Sequence, residues 1–151
     1  MSRIILIGCG KQKASEKCAA AEMYTGSMFR ARARYATGTG DPVYIISAKH
    51  GLVGLTTVIE PYDWTIGDLS PLNQIAWGIG VAGQICEMID NDSLTLRELR
   101  NVNFEFHAGA DYVERLQPVL IAAGFSTSWP VQGISQGAQL RWYKNRMKVI
   151  E

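Results

Sequence analysis

The sequence predicts an α/β fold: one domain over residues 1–151, a three-layer α/β/α sandwich around a short, mainly parallel sheet. Three observations predict it. Short runs rich in β-branched and aromatic residues recur at Arg3–Ile7, Val43–Ile46 and Val102–Phe106. Segments with helical apolar spacing lie between and after them. Strand and helix therefore alternate, which is the order of a parallel sheet covered on both faces.

Each element has a local reason. Arg3–Ile7 reads as a buried strand ended by Gly8, and the polar loop GCGKQKASEK follows. Ala19–Tyr24 is helix-prone, and Thr25-Gly26 interrupts it. Ser27 is placed as the N-cap of a helix running to about Ala36, before the turn cluster Thr37–Pro42. Val43–Ile46 is the second strand, ending in Ser47-Ala48-Lys49-His50-Gly51. Leu52–Leu69 shows no periodicity and reads as a long irregular stretch, of the kind that carries function more often than not.

Ser70-Pro71 starts a helix, because Pro loses nothing at the first helical position. Ile75, Ile79, Ile85, Met88 and Ile89 give it apolar groups, and Gly78, Gly80 and Gly83 suit close packing. Leu94–Arg100 reads as a short helix or turn. Val102, Phe104 and Phe106 alternate with Asn103 and Glu105, a strand ending at His107-Ala108-Gly109. Tyr112, Leu116, Val119 and Leu120 fall at helical spacing before Gly124, a C-terminal stop. Ser126–Trp129 is a fourth strand, Pro130–Gly137 a loop, and Leu140–Val149 the last helix.

Composition narrows the function. Hydrophobic residues make up 47% and charged residues 19%, which excludes disorder. Fifteen Lys and Arg against 14 Asp and Glu give a net charge of +1, so any basic surface must be local. Three cysteines without metal-ligand spacing exclude a disulfide framework and a zinc site. No apolar run reaches the ~20 residues of a membrane span, and Met1–Gly8 lacks a signal-peptide layout. The expected setting is cytoplasmic, with no membrane partner, no metal and no organic cofactor. Oligomeric state is not legible.

In open parallel sheets ligands bind beyond the carboxyl ends of the strands. Three segments should therefore meet: Gly8–Lys13, Ser47–Gly51 and His107–Tyr112. The first, with Cys9, Gly10, Lys11 and Lys13, resembles an anion cradle in its chemistry, although its spacing matches no phosphate-binding motif. It equally suits an ordinary strand-to-helix turn. The second sets Ser47, Lys49 and His50 at a strand edge, where a partly desolvated Lys can act as a nucleophile or oppose negative charge. EPYDW follows: Pro61 fixes a turn, Tyr62 and Trp64 offer stacking faces, and Asp63 between them can activate water. Read alone, Asp63 is a turn residue bonding to local backbone. In the third segment His107 can face the shared crevice, and Tyr112 lies on the apolar helical face.

Two basic stretches remain. Arg30 and Arg34 share one helical face, and Arg141, Lys144, Arg146 and Lys148 interleave with Trp142 and Tyr143. Arg30, Arg34, Arg141 and Lys144 suit nucleic-acid contact, or equally a solvated amphipathic helix.

The ordered set CGKQK, MYTGSMF, ISAKHGLV, EPYDWTI, Gly109–Tyr112 and PVQGISQGAQLRWY resembles a bacterial and phage domain family marked by CGxxK, SAKxGL and PYD motifs. That family is distantly similar to the uracil-DNA-glycosylase-like module of archaeosine synthase and archaeal tRNA-guanine transglycosylases. Cys9 and Lys13 match that module's Cys and the Lys four residues later; its second Lys and later His have no counterpart here. The resemblance implies a three-layer domain holding a nucleobase.

The resulting expectation is a nucleobase- or nucleoside-directed enzyme, an N-glycosidase or base-transferring enzyme, acting on a nucleotide or nucleic acid. Asp63 and Lys49 are the expected catalytic pair, with Lys13 as the second choice for the cation. Cys9, Gly10, Lys11, Lys13, Tyr24, Ser27, Ser47, His50, Tyr62 and His107 are expected to hold the substrate. The alternative is a non-catalytic nucleotide- or nucleic-acid-binding protein of phage or bacterial origin.

Overall fold

The computed structural model describes residues 2–91 and 101–150; the expected turn or helix over Leu94–Arg100 lies outside them. Strand β1 (Ser2–Gly8) is followed by the short strand β2 (Cys18–Ala19), the single turn α1 (Ala20–Met23) and helix α2 (Ser27–Gly38). Then come β3 (Val43–Ser47), β4 (Gly51–Gly54), β5 (Val58–Ile59) and helix α3 (Pro71–Asn91). The chain closes with β6 (Val102–His107), α4 (Ala110–Ala122), β7 (Ser126–Ser128) and α5 (Gln136–Ile150).

The main sheet has the order β4-β3-β1-β6-β7. All its pairings are parallel except β3 with β4. The connection β1-α2-β3 steps one way along this order and β6-α4-β7 steps the other way. Right-handed crossovers therefore put α2 and α4 on opposite faces. Helix α5 packs with α2, and α3 packs with α4, which completes the three layers. Ile5, Leu6 and Ile7 at the centre are fully buried, each stabilising the fold by about 1.5–3 kcal/mol.

Several expectations change. Leu52–Leu69 is not irregular throughout: β4 folds back on β3, β5 pairs with β2, and Ile66–Asp68 forms a 3-10 turn. Gly51 adopts φ +67°, which turns the chain straight into the antiparallel partner. Strands this short show no period in sequence. Ser27 is the first helical residue and Gly26 the N-cap, with no side-chain bond. Helix α5 begins at Gln136 rather than Leu140. The predicted start of α3 holds, since Ser70 Oγ accepts the Asn73 N–H at 3.2 Å. Among the described residues no helix is long and apolar enough to cross a membrane.

Candidate functional site

The order β4-β3-β1-β6-β7 reverses direction between β1 and β6, and a crevice is expected at their carboxyl ends. The two strand ends meet closely there. A Cβ on Gly8 would lie 2.7 Å from Ala108 Cβ, so glycine is required for the approach. Cys9 follows, its N–H bonded to Ile46 O at 3.2 Å and its Sγ donating to Tyr112 Oη at 3.1 Å. Tyr112 Oη also accepts the Ile66 N–H at 3.4 Å. Gly10 packs toward Phe29 of α2. Tyr112, which the sequence places on a packing face, is thus buried and also bonded to the loop thiol.

Beside this contact lies a closed triangle of hydroxyls. Tyr24 Oη, Ser47 Oγ and Tyr62 Oη are 3.0, 2.8 and 2.8 Å apart. Ser47 Oγ also accepts the His50 N–H at 3.1 Å, and Trp77 Nε1 donates to Ser47 O at 2.9 Å. Burial pushes the Tyr24 hydroxyl up to about 12 and raises those of Tyr62 and Tyr112 as well, so all three keep their protons at neutral pH. His50 Nε2 lies 3.0 Å from Glu60 O, and its ring stands against that of Tyr62.

Tyr62 carries the triangle to the surface. It lines a cleft of about 610 Å³ with Lys11, Lys13, Ala14, Pro61 and Asp63. Lys13 Nζ stands 4.4 Å over the Tyr62 ring and bonds Lys11 O at 3.2 Å. Burial lowers the pKa of Lys13, with Cys9 and Asp63 opposing that shift. Asp63 is exposed at the cleft rim. Cleft and loop therefore bring together a carboxylate, two ammonium groups, an aromatic face and a hydroxyl.

The expected residues divide. Cys9, Gly10, Lys11, Lys13, Tyr24, Ser47, Tyr62 and Asp63 gather here. Lys49 does not: it is exposed in the β3–β4 turn and lines a separate depression of about 220 Å³ with Trp77 and Gln84. The partly desolvated lysine that shares the cleft with Asp63 is Lys13. His107 faces no crevice. It is fully buried beneath α2 and α5, with Nε2 2.7 Å from Glu105 Oε2 and Nδ1 2.8 Å from Tyr143 Oη. A carboxylate only accepts, so Nε2 carries the proton and Nδ1 accepts from Tyr143.

Glu105 also receives Tyr35 Oη at 3.1 Å and Arg3 at 3.2 Å. It alternates with Phe104 and Phe106 along β6, yet a parallel sheet covered on both faces has no solvent-facing side, and the carboxylate is buried with partners. Trp142 and Tyr143 are likewise packing residues: Tyr143 is fully buried, and the Arg146 guanidinium stands 3.6 Å over the Trp142 ring. Ser27 lies outside the cleft. It lines a groove of about 510 Å³ between α2 and α5, together with Arg30, Arg34, Arg141 and Lys144. Among the described residues no group of three or more His, Cys, Asp or Glu is arranged to hold a metal ion.

Residues 4–145 match a family described as a family of unknown function (DUF6884), and the chain belongs to that family. No curated protein and no solved structure matches the chain.

Proposed function

We propose that this member of a family of unknown function is a nucleobase-directed enzyme that hydrolyses or transfers an N-glycosidic bond. The observation that carries the reading is the cleft that holds Asp63, Lys11, Lys13 and the Tyr62 ring beside the carboxyl ends of the parallel strands. The resemblance of Cys9 and Lys13 to the Cys and Lys of the uracil-DNA-glycosylase-like module points to the same class. Three unpaired cysteines fit a reducing compartment, the cytoplasm.

The chemistry follows from charge. Breaking the bond leaves positive character on the sugar and negative charge on the base. Asp63 opposes the first and takes the proton of the attacking water. The electron pair of the C1′–N bond leaves with the base, whose negative charge faces Lys13, a lining residue of the cleft. Tyr62 and Trp64, whose ring centroids are 5.5 Å apart, offer the stacking faces. Tyr24 and Ser47 stand behind Tyr62 and fix its hydroxyl.

The test is mass spectrometry of free base after incubation with a panel of nucleosides, nucleotides and modified DNA and RNA. Asp63→Asn keeps the shape and removes the charge, and should lower base release by about 100-fold or more. Wild-type rates in that variant would reduce Asp63 to a turn residue. If wild type releases no base, the second reading stands: a non-catalytic nucleotide or nucleic-acid binder. The basic groove favours that reading, since it needs no acid–base pair.

A further inference from the structure

We infer that the groove between α2 and α5 carries the phosphodiester backbone of a single nucleic-acid strand, so that the substrate of the cleft is a polymer and not a free nucleotide. This rests on the base-directed reading of the cleft. Helix α2 carries Arg30, Arg32 and Arg34, and helix α5 carries Arg141, Lys144 and Arg146. Neither helix contains an Asp or Glu. The two lie far apart in sequence and pack side by side, which concentrates cations in a chain of net charge +1.

Four of these cations converge. Arg30 and Arg34 line one wall of the groove, Arg141 and Lys144 the other, and all four are exposed. None of them makes an ion pair among the described residues. Like charges held this close repel one another, and a polyanion removes the cost. From Ser27 to Arg34 the helix advances about 10 Å, more than one phosphate needs. The floor is apolar, from Ala31, Leu140 and Met147, and suits sugars lying beneath a rim of charge.

The groove also leads to the cleft. It ends at Thr25, whose N–H bonds Gln12 O at 3.0 Å, and the adjoining Tyr24 pairs with Lys13. A backbone lying along α2 thus passes straight to the loop that supplies Lys11 and Lys13. A duplex keeps its bases stacked, whereas an unpaired strand presents a base to the cleft without further work.

The test uses fluorescence anisotropy with a labelled 12-nucleotide single strand, the matching duplex and a nucleoside monophosphate as competitor, from 50 to 300 mM salt. Wild type should bind the single strand more tightly than the duplex, with affinity falling steeply as salt rises. Arg30→Gln with Arg34→Gln should reduce the log–log salt slope by about 1.4, at about 0.7 per lost phosphate contact. Arg141→Gln with Lys144→Gln should do the same from the other wall, and the exposed Lys17→Gln should leave the slope unchanged. Absent strand binding, a slope untouched by both pairs, equal loss in Lys17→Gln, duplex bound as tightly as single strand, or competition by equimolar monophosphate would each overturn the inference. If the strand binds with a groove-dependent slope and no base is ever released, the groove stands and the base-cleaving reading fails.

Discussion

The two helical layers of this protein are built on different principles. The α2–α5 layer is cationic outside and polar inside: it has no acidic residue, and it covers the buried Glu105–His107–Tyr143 chain of bonds. The α3–α4 layer is joined by close backbone contact and carries the opposite sign. Glu87, Asp111 and Glu114 stand there against Arg115, the one cation of these two helices among the described residues. Its helix α3 leaves Leu72, Ile75 and Ile79 exposed. The difference teaches that a net charge near zero can be the sum of two charged faces, and that only the pairing of helices tells which.

The largest effect should come from the close contact of the second layer. A Cβ on Gly78 would run into the Arg115 carbonyl oxygen of α4. Gly78→Ala should therefore destabilise the fold by about 3 kcal/mol, read from urea unfolding midpoints. A neutral result would mean that α3 and α4 can separate freely, and the contrast between the layers would lose its basis. In the first layer the equivalent test is Tyr143→Phe. It strips His107 Nδ1 of its buried donor and should cost about 2 kcal/mol.

The two layers should also part in their response to acid. Burial holds the pKa of His107 below its ordinary 6.5, despite the Glu105 bond that acts to raise it. Unfolded, the imidazole takes up a proton near 6.5; folded, it does so only at lower pH. Its contribution is therefore complete above 6.5 and is lost as pH falls toward the folded value. For Glu105 burial acts to raise the pKa, but the His107 and Arg3 contacts outweigh it and the net shift is downward from 4.5. A second loss should then begin below 4.5. His107→Gln should flatten the first fall between pH 7.5 and 5.5 in urea midpoints. Parallel curves for the variant and wild type would place the acid response elsewhere. The smallest effect returns to α3: Gly83 has open space where a Cβ would go, so Gly83→Ala should stabilise by about 0.5–1 kcal/mol.

How much of this was legible depends on range. β1 and β3 announce themselves as apolar β-branched runs, α3 by Ser70-Pro71, and α4 by Gly124, which adopts φ +94° at its end. β4 was invisible because four residues after a three-residue turn show no period. Cys9 and Lys13 follow from the rule that loops after parallel strands converge, and Tyr62 and Asp63 from the aromatic and acidic chemistry of EPYDW. Lys49 obeyed the same rule and went elsewhere, because the rule gives the end of the sheet and not the direction of a side chain. His107, expected at the crevice because it ends a strand, is instead buried, since helices cover both faces of β6.

The sequence by itself determined the layers, the parallel strands and the loops that gather at their ends, because these follow from apolar periodicity, capping and crossover handedness within a few dozen residues. It also held all four groove cations in plain view. Only the tertiary structure decided that Arg30 and Arg34 face Arg141 and Lys144 across one groove, that Lys13 rather than Lys49 stands beside Asp63, and that Tyr143 meets His107 and not solvent. The physical reason is that charge and hydrogen-bond partners act over a few ångströms in space, and residues a hundred positions apart acquire that proximity only when the helices pack.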